Sequence, residues 1–372
     1  MLDLNYFKKS LAITENDKLL LKLTFASKTE EKDVLNLLSG YDIETAPLGF
    51  NLLLANLLNK HPNIKISEAD IPRIKGVVRY FQYQNTALLA AFNKIGRELN
   101  AKNIPVLLIK GISMKYLNPD MPRYMADVDF AVQFKHFNEA LNSALRNGFK
   151  ISVNAKHSVD LYNGFQRIDL HRFIVKSDFN TGHTDNKIFE RAVAVKAFGV
   201  NALIPKAEDM IFLTLQNAFD NILYKKPYPM KILWIFDCLR IMESIKNKNE
   251  NINWDIVIND ASQTGLCCST KLMLELFDSI VPSVIPPDVI SKIKTCDKQK
   301  ASFDKYARLH ILMRRSREIK TAVKTILFSK NKKYEHIKCA IDLTFEFFYL
   351  KFIHHCFFAR KFLLAKISER YL

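Results

Sequence analysis

The sequence predicts an α+β chain: a small α/β core set between two helical regions. Three observations carry that reading. Residues 1 to about 100 keep apolar residues at three- and four-residue spacing. The period then shortens to strand-like runs between residues 104 and about 171. Helical spacing returns from Pro205 onward. The chain therefore divides into an N-terminal helical region (1–100), an α/β core (101–204) and a C-terminal helical region (205–372).

In the first region, LLLKLTFASKTEEKDVLNLL, GFNLLLANLLNKH and the long IPRIKGVVRYFQYQNTALLAAFNKIGRELNAKN all show helical spacing, and Pro72 suits a first helical turn. IPVLLIKG, residues 104–111, is a short apolar run bounded by Asn103 and Gly111, which favours a buried strand. ISMKYLNPDMPRYM follows as a short helix or loop broken by Pro119 and Pro122. VDFAVQF, residues 128–134, is a second strand. FKHFNEALNSALRNGF is a helix with Phe137, Leu141, Ala144 and Leu145 on one face and Gly148 closing it. FKISVNAK makes a third strand. After a turn at Asn163-Gly164, FQRIDLHRFIV alternates as a fourth. FGVNALIP, residues 198–205, adds an edge strand or a loop. Pro205 with Glu208 and Asp209 marks a helix start, and KILWIFDCLRIMESI and WDIVINDAS continue the helical spacing.

Composition narrows the class. With 372 residues, 48% of them hydrophobic, the chain can bury a large core in two or three packed units. Only 10 Gly and 12 Pro are present; no stretch reads as a disordered linker, and no internal repeat is seen. The net charge of +17 and a pI near 9.4 favour polyanionic partners: nucleotides, nucleic acid such as RNA, phosphorylated sugars or an anionic membrane face. A solvated lysine-rich surface gives the same total. The six cysteines, Cys238, Cys267, Cys268, Cys296, Cys339 and Cys356, form no C-x-x-C pair and read as reduced thiols of a cytoplasmic protein. The N-terminus has no apolar signal-peptide core. The most apolar stretch, residues 345–367, is interrupted by Glu346, Lys351, Arg360 and Lys361. It reads as a buried helix, ahead of peripheral membrane contact, and not as a span.

The chemistry gathers in RYMADVDFAV, where Asp127 and Asp129 stand at the mouth of an apolar strand. On a strand, residues i and i+2 face the same way, roughly 6 to 7 Å apart. Two such acids can share divalent magnesium ions, which prefer oxygen ligands, provided a third acid reaches them from another strand. Asp169 in QRIDLHRF is that candidate. Three acids this close repel one another and are costly to desolvate unless a cation joins them. D-x-D alone is a weak motif, and an acid at a strand end commonly serves as a cap or salt-bridge partner. Upstream, Gly111 closes the first strand with Lys110 before it and Ser113 after it. A glycine turn lets backbone N–H groups approach a phosphate, to which Lys110 adds a cation and Ser113 a hydroxyl. An exposed lysine in an ordinary turn is the plainer account. Arg123 either pairs with phosphate, locks the acids or makes a surface salt bridge. His171 shares the Asp169 face and either donates to a carboxylate or phosphate or packs as a satisfied core histidine. Trp234 and Asp237 share a helix face. Trp234 reads first as core and second as a base-stacking platform; Asp237 lines the cleft or pairs with a basic residue.

IPVLLIKGISMKYLNP, RYMADVDFAV and RIDLHRF together resemble the uncharacterised bacterial nucleotidyltransferase family of the DNA polymerase beta-like superfamily. The resemblance covers about residues 70–245. It departs at the glycine motif, where Gly111-Ile112 stands in place of the wider superfamily's Gly-Ser or Gly-Gly. The resemblance implies a small mixed β-sheet nucleotidyltransferase core. It also implies transfer of a nucleoside monophosphate from a triphosphate such as ATP to a hydroxyl acceptor: a small molecule, sugar phosphate, protein or RNA. On that reading Asp127, Asp129 and Asp169 hold two Mg2+ ions, with Mn2+ as the alternative. Lys110, Gly111, Ser113, Arg123 and His171 contact the nucleotide. The alternatives are a non-catalytic nucleotide- or RNA-binding protein on the same fold, and a toxin-like enzyme that modifies tRNA.

Overall fold

The computed structural model describes residues 4–26, 28–40, 48–64, 67–68, 70–176, 182–224, 232–294 and 303. The apolar stretch 345–367 and Cys296, Cys339 and Cys356 lie outside these residues. Cys238 and Cys267 are buried, as expected. Among the described residues no helix is long and apolar enough to cross a membrane.

Helices α1 (Leu4–Leu11), α2 (Glu15–Phe25), α3 (Glu31–Ser39) and α4 (Leu48–Lys60) lead into α5 (Asp70–Ala101), a continuous helix of 32 residues. A capping box starts α2: the Thr14 hydroxyl accepts from the Asp17 N–H, and the Asp17 carboxylate accepts from the Thr14 N–H at 2.7 Å. Pro72 sits in the first turn of α5, where its missing N–H costs nothing. Phe81, Leu88, Phe92, Ile95 and Leu99 form the buried stripe of α5, so the helix lies flat against the sheet. Gly96 permits the closest approach, because a Cβ there would stand 2.7 Å from Val200.

The core follows as β1 (Leu107–Leu108), α6 (Gly111–Leu117), β2 (Val128–Ala131), a 3-10 turn, α7 (Phe137–Arg146), β3 (Lys150–Asn154), β4 (Ser158–Asn163), β5 (Gln166–His171), α8 (His183–Arg191), β6 (Val193–Ala197) and β7 (Val200–Ile204). The seven strands form one mixed sheet in the order β3-β4-β5-β2-β1-β7-β6. β2 runs parallel to β5 and β1 parallel to β7, while the other pairs are antiparallel. The α+β class is thus the observed one.

Three details differ from the sequence reading. The run 104–111 contributes only Leu107 and Leu108 as strand, because Pro105 lacks an N–H and Gly111 already opens a helix. Residues 198–205 form neither an edge nor a loop, since β7 lies between β1 and β6. Strand β4 was not expected. Ser158, Asp160 and Asn163 are weak strand formers, and pairing with β3 on one side and β5 on the other imposes the extended form.

Beyond the sheet come α9 (Ala207–Tyr224), α10 (Leu233–Lys246), α11 (Trp254–Gln263), α12 (Cys267–Ile280) and α13 (Pro287–Lys292). Arg191, at the end of α8, donates to Asp209 of α9 and, at 2.6 Å, to Asp260 of α11. Both acids are buried, so this guanidinium ties the core to the helices that follow.

Candidate active site

Sheet register builds the site. Asp129 of β2 lies directly opposite Asp169 of β5 in a parallel pair, and His171 follows two residues later on the same face. The alternate residues Val128, Phe130, Ile168 and Leu170 are fully buried on the other face, where Phe130 packs 5.3 Å from Phe92 of α5. That apolar alternation fixes which way the acids point, because a slip of one residue would bury them against α5.

His171 Nε2 stands 3.2 Å from Asp129 Oδ1 and 3.0 Å from Asp169 Oδ2. Lys110 Nζ donates to Asp129 Oδ1, lies 3.2 Å from His171 Nε2 and comes within 3.7 Å of Asp169 Oδ2. The backbone brings Lys110 in at some cost. Its φ of 55° and ψ of −126° belong to a region an L residue seldom adopts. The neighbouring Ile109 N–H donates to the Asp129 carbonyl at 3.2 Å, which fixes the end of β1 against the acids.

The electrostatics follow from this packing. Burial would raise both carboxyl groups, yet Lys110 and His171 outweigh it at Asp129, and His171 then Lys110 outweigh it at Asp169. Both acids are held below the ordinary carboxylate range. Burial and Lys110 would lower His171, but Asp169 and Asp129 raise it. Asp127 sits one residue before β2, half-buried. Burial, then the charge of Asp129, pushes its carboxyl up to about 7. Burial opposes the Lys110 ammonium, and the charges of Asp129, Asp169 and Asp127 keep it protonated nonetheless.

Asp129, Asp169 and His171 each offer a ligand atom, all within 4.8 Å of one another. Among the described residues Asp127 does not join that group, although it feels the charges of Asp129 and Asp169. The donor set of carboxylate oxygens plus one imidazole suits a divalent cation, and the Lys110 ammonium already shows that positive charge is drawn to the same oxygens.

The remaining expected residues are placed differently from one another. Gly111 opens α6 and lies under Arg123; a Cβ on it would stand 2.8 Å from Nη1 of Arg123 and 3.3 Å from Met125. Arg123 is buried and forms a two-pronged pair with Asp237 of α10, Nε to Oδ1 at 3.1 Å and Nη2 to Oδ2 at 2.6 Å. Its carbonyl accepts from Asn85 of α5, and the Pro122 carbonyl accepts from Asn56 of α4, so three helices hold the loop that delivers Asp127. Ser113 is fully buried, with its hydroxyl donating to the Leu108 carbonyl at 3.1 Å. Trp234 is a core residue packed edge-on against Phe277, and no base could reach it without displacing that core.

The structure adds an acid that sequence reasoning passed over. Asp160 of β4 is the cross-strand partner of Asp169, so Asp160, Asp169 and Asp129 form a row across three strands. Asp160 is half-buried, and burial raises its carboxyl. The signal was present in the Asn163-Gly164 turn. A hairpin that closes on Asn163 opposite Gln166 must set Asp160 opposite Asp169.

A family model described as an uncharacterised nucleotidyltransferase matches residues 50–282. No match is found among curated protein sequences. Among solved structures, the chain is similar to the antibiotic-resistance factor ANT(2'')-Ia in solution, with TM-score 0.36 and 12% identity over 51% of this chain and 96% of that one. It is also similar to ANT(2'')-Ia in complex with adenylyl-2''-tobramycin, with TM-score 0.35 and 12% identity over 47% and 95% of the two chains. An antigenic nucleotidyltransferase-like protein from Paracoccidioides brasiliensis gives TM-score 0.34 and 12% identity over 57% and 95%.

Proposed function

The chain belongs to the uncharacterised nucleotidyltransferase family, and on that premise we propose that it is a metal-dependent enzyme moving a nucleoside monophosphate from a nucleoside triphosphate to a hydroxyl acceptor. The observation that carries this reading is the face-to-face register of Asp129 and Asp169, with His171 and Lys110 closing on the same oxygens. A structural role alone does not account for placing two acids side by side, with a third and a fourth nearby, on strands whose intervening residues Val128, Phe130, Ile168 and Leu170 are buried and apolar.

Asp129 and Asp169 would hold Mg2+ or Mn2+, with Asp127 completing the ligands of a second ion. When bound, such ions neutralise the charge that develops on the transferring phosphoryl group. Lys110 and the Gly111 turn face the triphosphate. His171 orients both carboxylates from beneath. Arg123 acts through the loop it braces, with Asp237 as its fixed partner, and Ser113 secures the turn from inside. The acceptor oxygen bonds to the α-phosphorus, the bond to pyrophosphate breaks, and the hydroxyl proton is released to water.

The test is transfer from the four α-labelled triphosphates, with Mg2+ or Mn2+, to RNA, protein and small-molecule acceptors. Label should appear in one acceptor class and vanish with Asp129→Asn. Undiminished transfer by that variant, folded and at equal concentration, would overturn the assignment.

A further inference from the structure

Where the loop that precedes Asp127 meets α5 and the β4–β5 turn lies a cavity of about 270 Å3 that nothing so far employs. Gln84 and Leu88 of α5 line it, with Tyr124 and Met125 from the loop entering β2, Phe165 from the β4–β5 turn and Arg167 from β5. Resting on the nucleotidyltransferase reading, we propose that this cavity receives the acceptor, and that the acceptor is an RNA strand presenting a nucleobase there.

Position argues for the acceptor. The strand order β5-β2-β1 puts the Lys110-Gly111 turn on one side of the β2 acids and Phe165 and Arg167 on the other. Phosphoryl transfer runs in line, so the attacking oxygen enters opposite the departing pyrophosphate. A pyrophosphate held at the β1 turn therefore leaves the β5 side for the acceptor.

Chemistry argues for a base. Phe165 is 60% exposed at the tip of the β4–β5 hairpin, an apolar ring with no partner ring among those described. Leu88 and Met125 add an apolar floor, and the Tyr124 ring packs 5.0 Å from Phe81. Gln84 donates to the Tyr80 hydroxyl at 2.6 Å and keeps its Oε1 as an acceptor. The guanidinium charge of Arg167 reaches both Tyr124 and Asp160. An exposed ring over apolar side chains, an amide and a guanidinium suit a base that stacks and hydrogen-bonds. Exposed Tyr80 is bonded to the lining residue Gln84, exposed Tyr162 of β4 is the cross-strand partner of the lining residue Arg167, and Lys150 lies opposite Tyr162 on the open edge strand β3. Aromatic rings interleaved with cations are what a sequence-tolerant single-strand platform needs, and a net charge of +17 favours a polyanion over a neutral sugar.

The experiment measures two quantities on the full chain: Kd for Mg·ATP, and kcat/KM for labelling bulk transfer RNA and short single-stranded oligoribonucleotides. Free nucleoside monophosphates and an aminoglycoside serve as further acceptors. Phe165→Ala should lower RNA labelling roughly 5- to 150-fold, the range of one lost stacking contact, and leave Kd for Mg·ATP within about twofold. Phe165→Trp should retain RNA labelling, a rescue that a merely structural role for the hairpin tip does not explain. Arg167→Ala should weaken RNA labelling and flatten its salt dependence. The proposal is overturned if Phe165→Ala labels RNA as well as the parent protein does, if it weakens Mg·ATP as much as RNA, or if label enters only acceptors without a base. A parent protein that binds no triphosphate and labels nothing contradicts the nucleotidyltransferase reading itself, a distinguishable failure.

Discussion

Asp237→Asn tests the frame that presents the acids. The Arg123–Asp237 pair has both side chains only 8% exposed and two well-formed hydrogen bonds of 3.1 and 2.6 Å. Asparagine keeps the shape and removes the charge, so the buried guanidinium loses its two-pronged carboxylate partner. Breaking a buried pair from one side costs about 3 to 5 kcal/mol, whereas replacing both partners with apolar groups of similar volume is often close to neutral. Urea unfolding should therefore show Asp237→Asn losing about 3 to 5 kcal/mol at unchanged m-value. The double variant Arg123→Met, Asp237→Leu should recover most of it. For a unit of 150 to 250 residues the single change corresponds to a fall in Tm of roughly 6 to 20 °C. Arg123 also reaches the Tyr124 carbonyl at 3.1 Å and accepts from Asn85 through its own carbonyl. Triphosphate affinity should therefore fall in the single variant as the loop before Asp127 loosens. A loss below about 1 kcal/mol, or a double variant worse than the sum of its singles, would refute a buried, charge-compensated brace.

Gly111→Ala places a methyl 2.8 Å from a guanidinium that Asp237 already holds, so it should cost about 1 to 3 kcal/mol by overpacking and slow transfer, read by urea unfolding and label incorporation. Mg2+ at a hundred times its Kd should stabilise the parent protein by about 2.7 kcal/mol, and calorimetry should show that gain absent in Asp129→Asn. Asp129→Asn should also cut kcat/KM at least about a hundredfold, since even outer partners of metal ligands cost 10- to 100-fold. Burial pushes the Asp209 carboxyl up to about 6 despite Arg191, so its contribution to stability is whole below the unfolded value near 4 and is lost as pH rises through 6. Asp209→Asn should flatten unfolding free energy against pH between about 4 and 6.5, and an unchanged slope would contradict the shift.

Legibility in the sequence tracked how local the determining physics is. Helix α5 and strand β2 were readable because a helix stripe or an apolar run after two acids is a pattern within one segment. Of the three acids expected together, Asp129 and Asp169 lie directly opposite each other, because the intervening residues Val128, Phe130, Ile168 and Leu170 are apolar and leave one orientation open. What escaped were features fixed by pairing at a distance. β4 extends because β3 and β5 flank it, and β7 is interior because β1 lies on one side of it and β6 on the other. Arg123 shows the same limit. Near Asp127 in sequence it suggests a partner four residues away or a phosphate, but Asp237 stands 114 residues downstream and meets it in the core. Ser113 reads as a phosphate ligand beside a glycine, yet the helix that Gly111 opens turns it inward to the Leu108 carbonyl. The facing of the two acids was therefore local enough to read, and the bracing around it was not. The brace is built from contacts between regions that sequence separates, and it is there that the strained Lys110 and the crowded Gly111 find the support their conformations require.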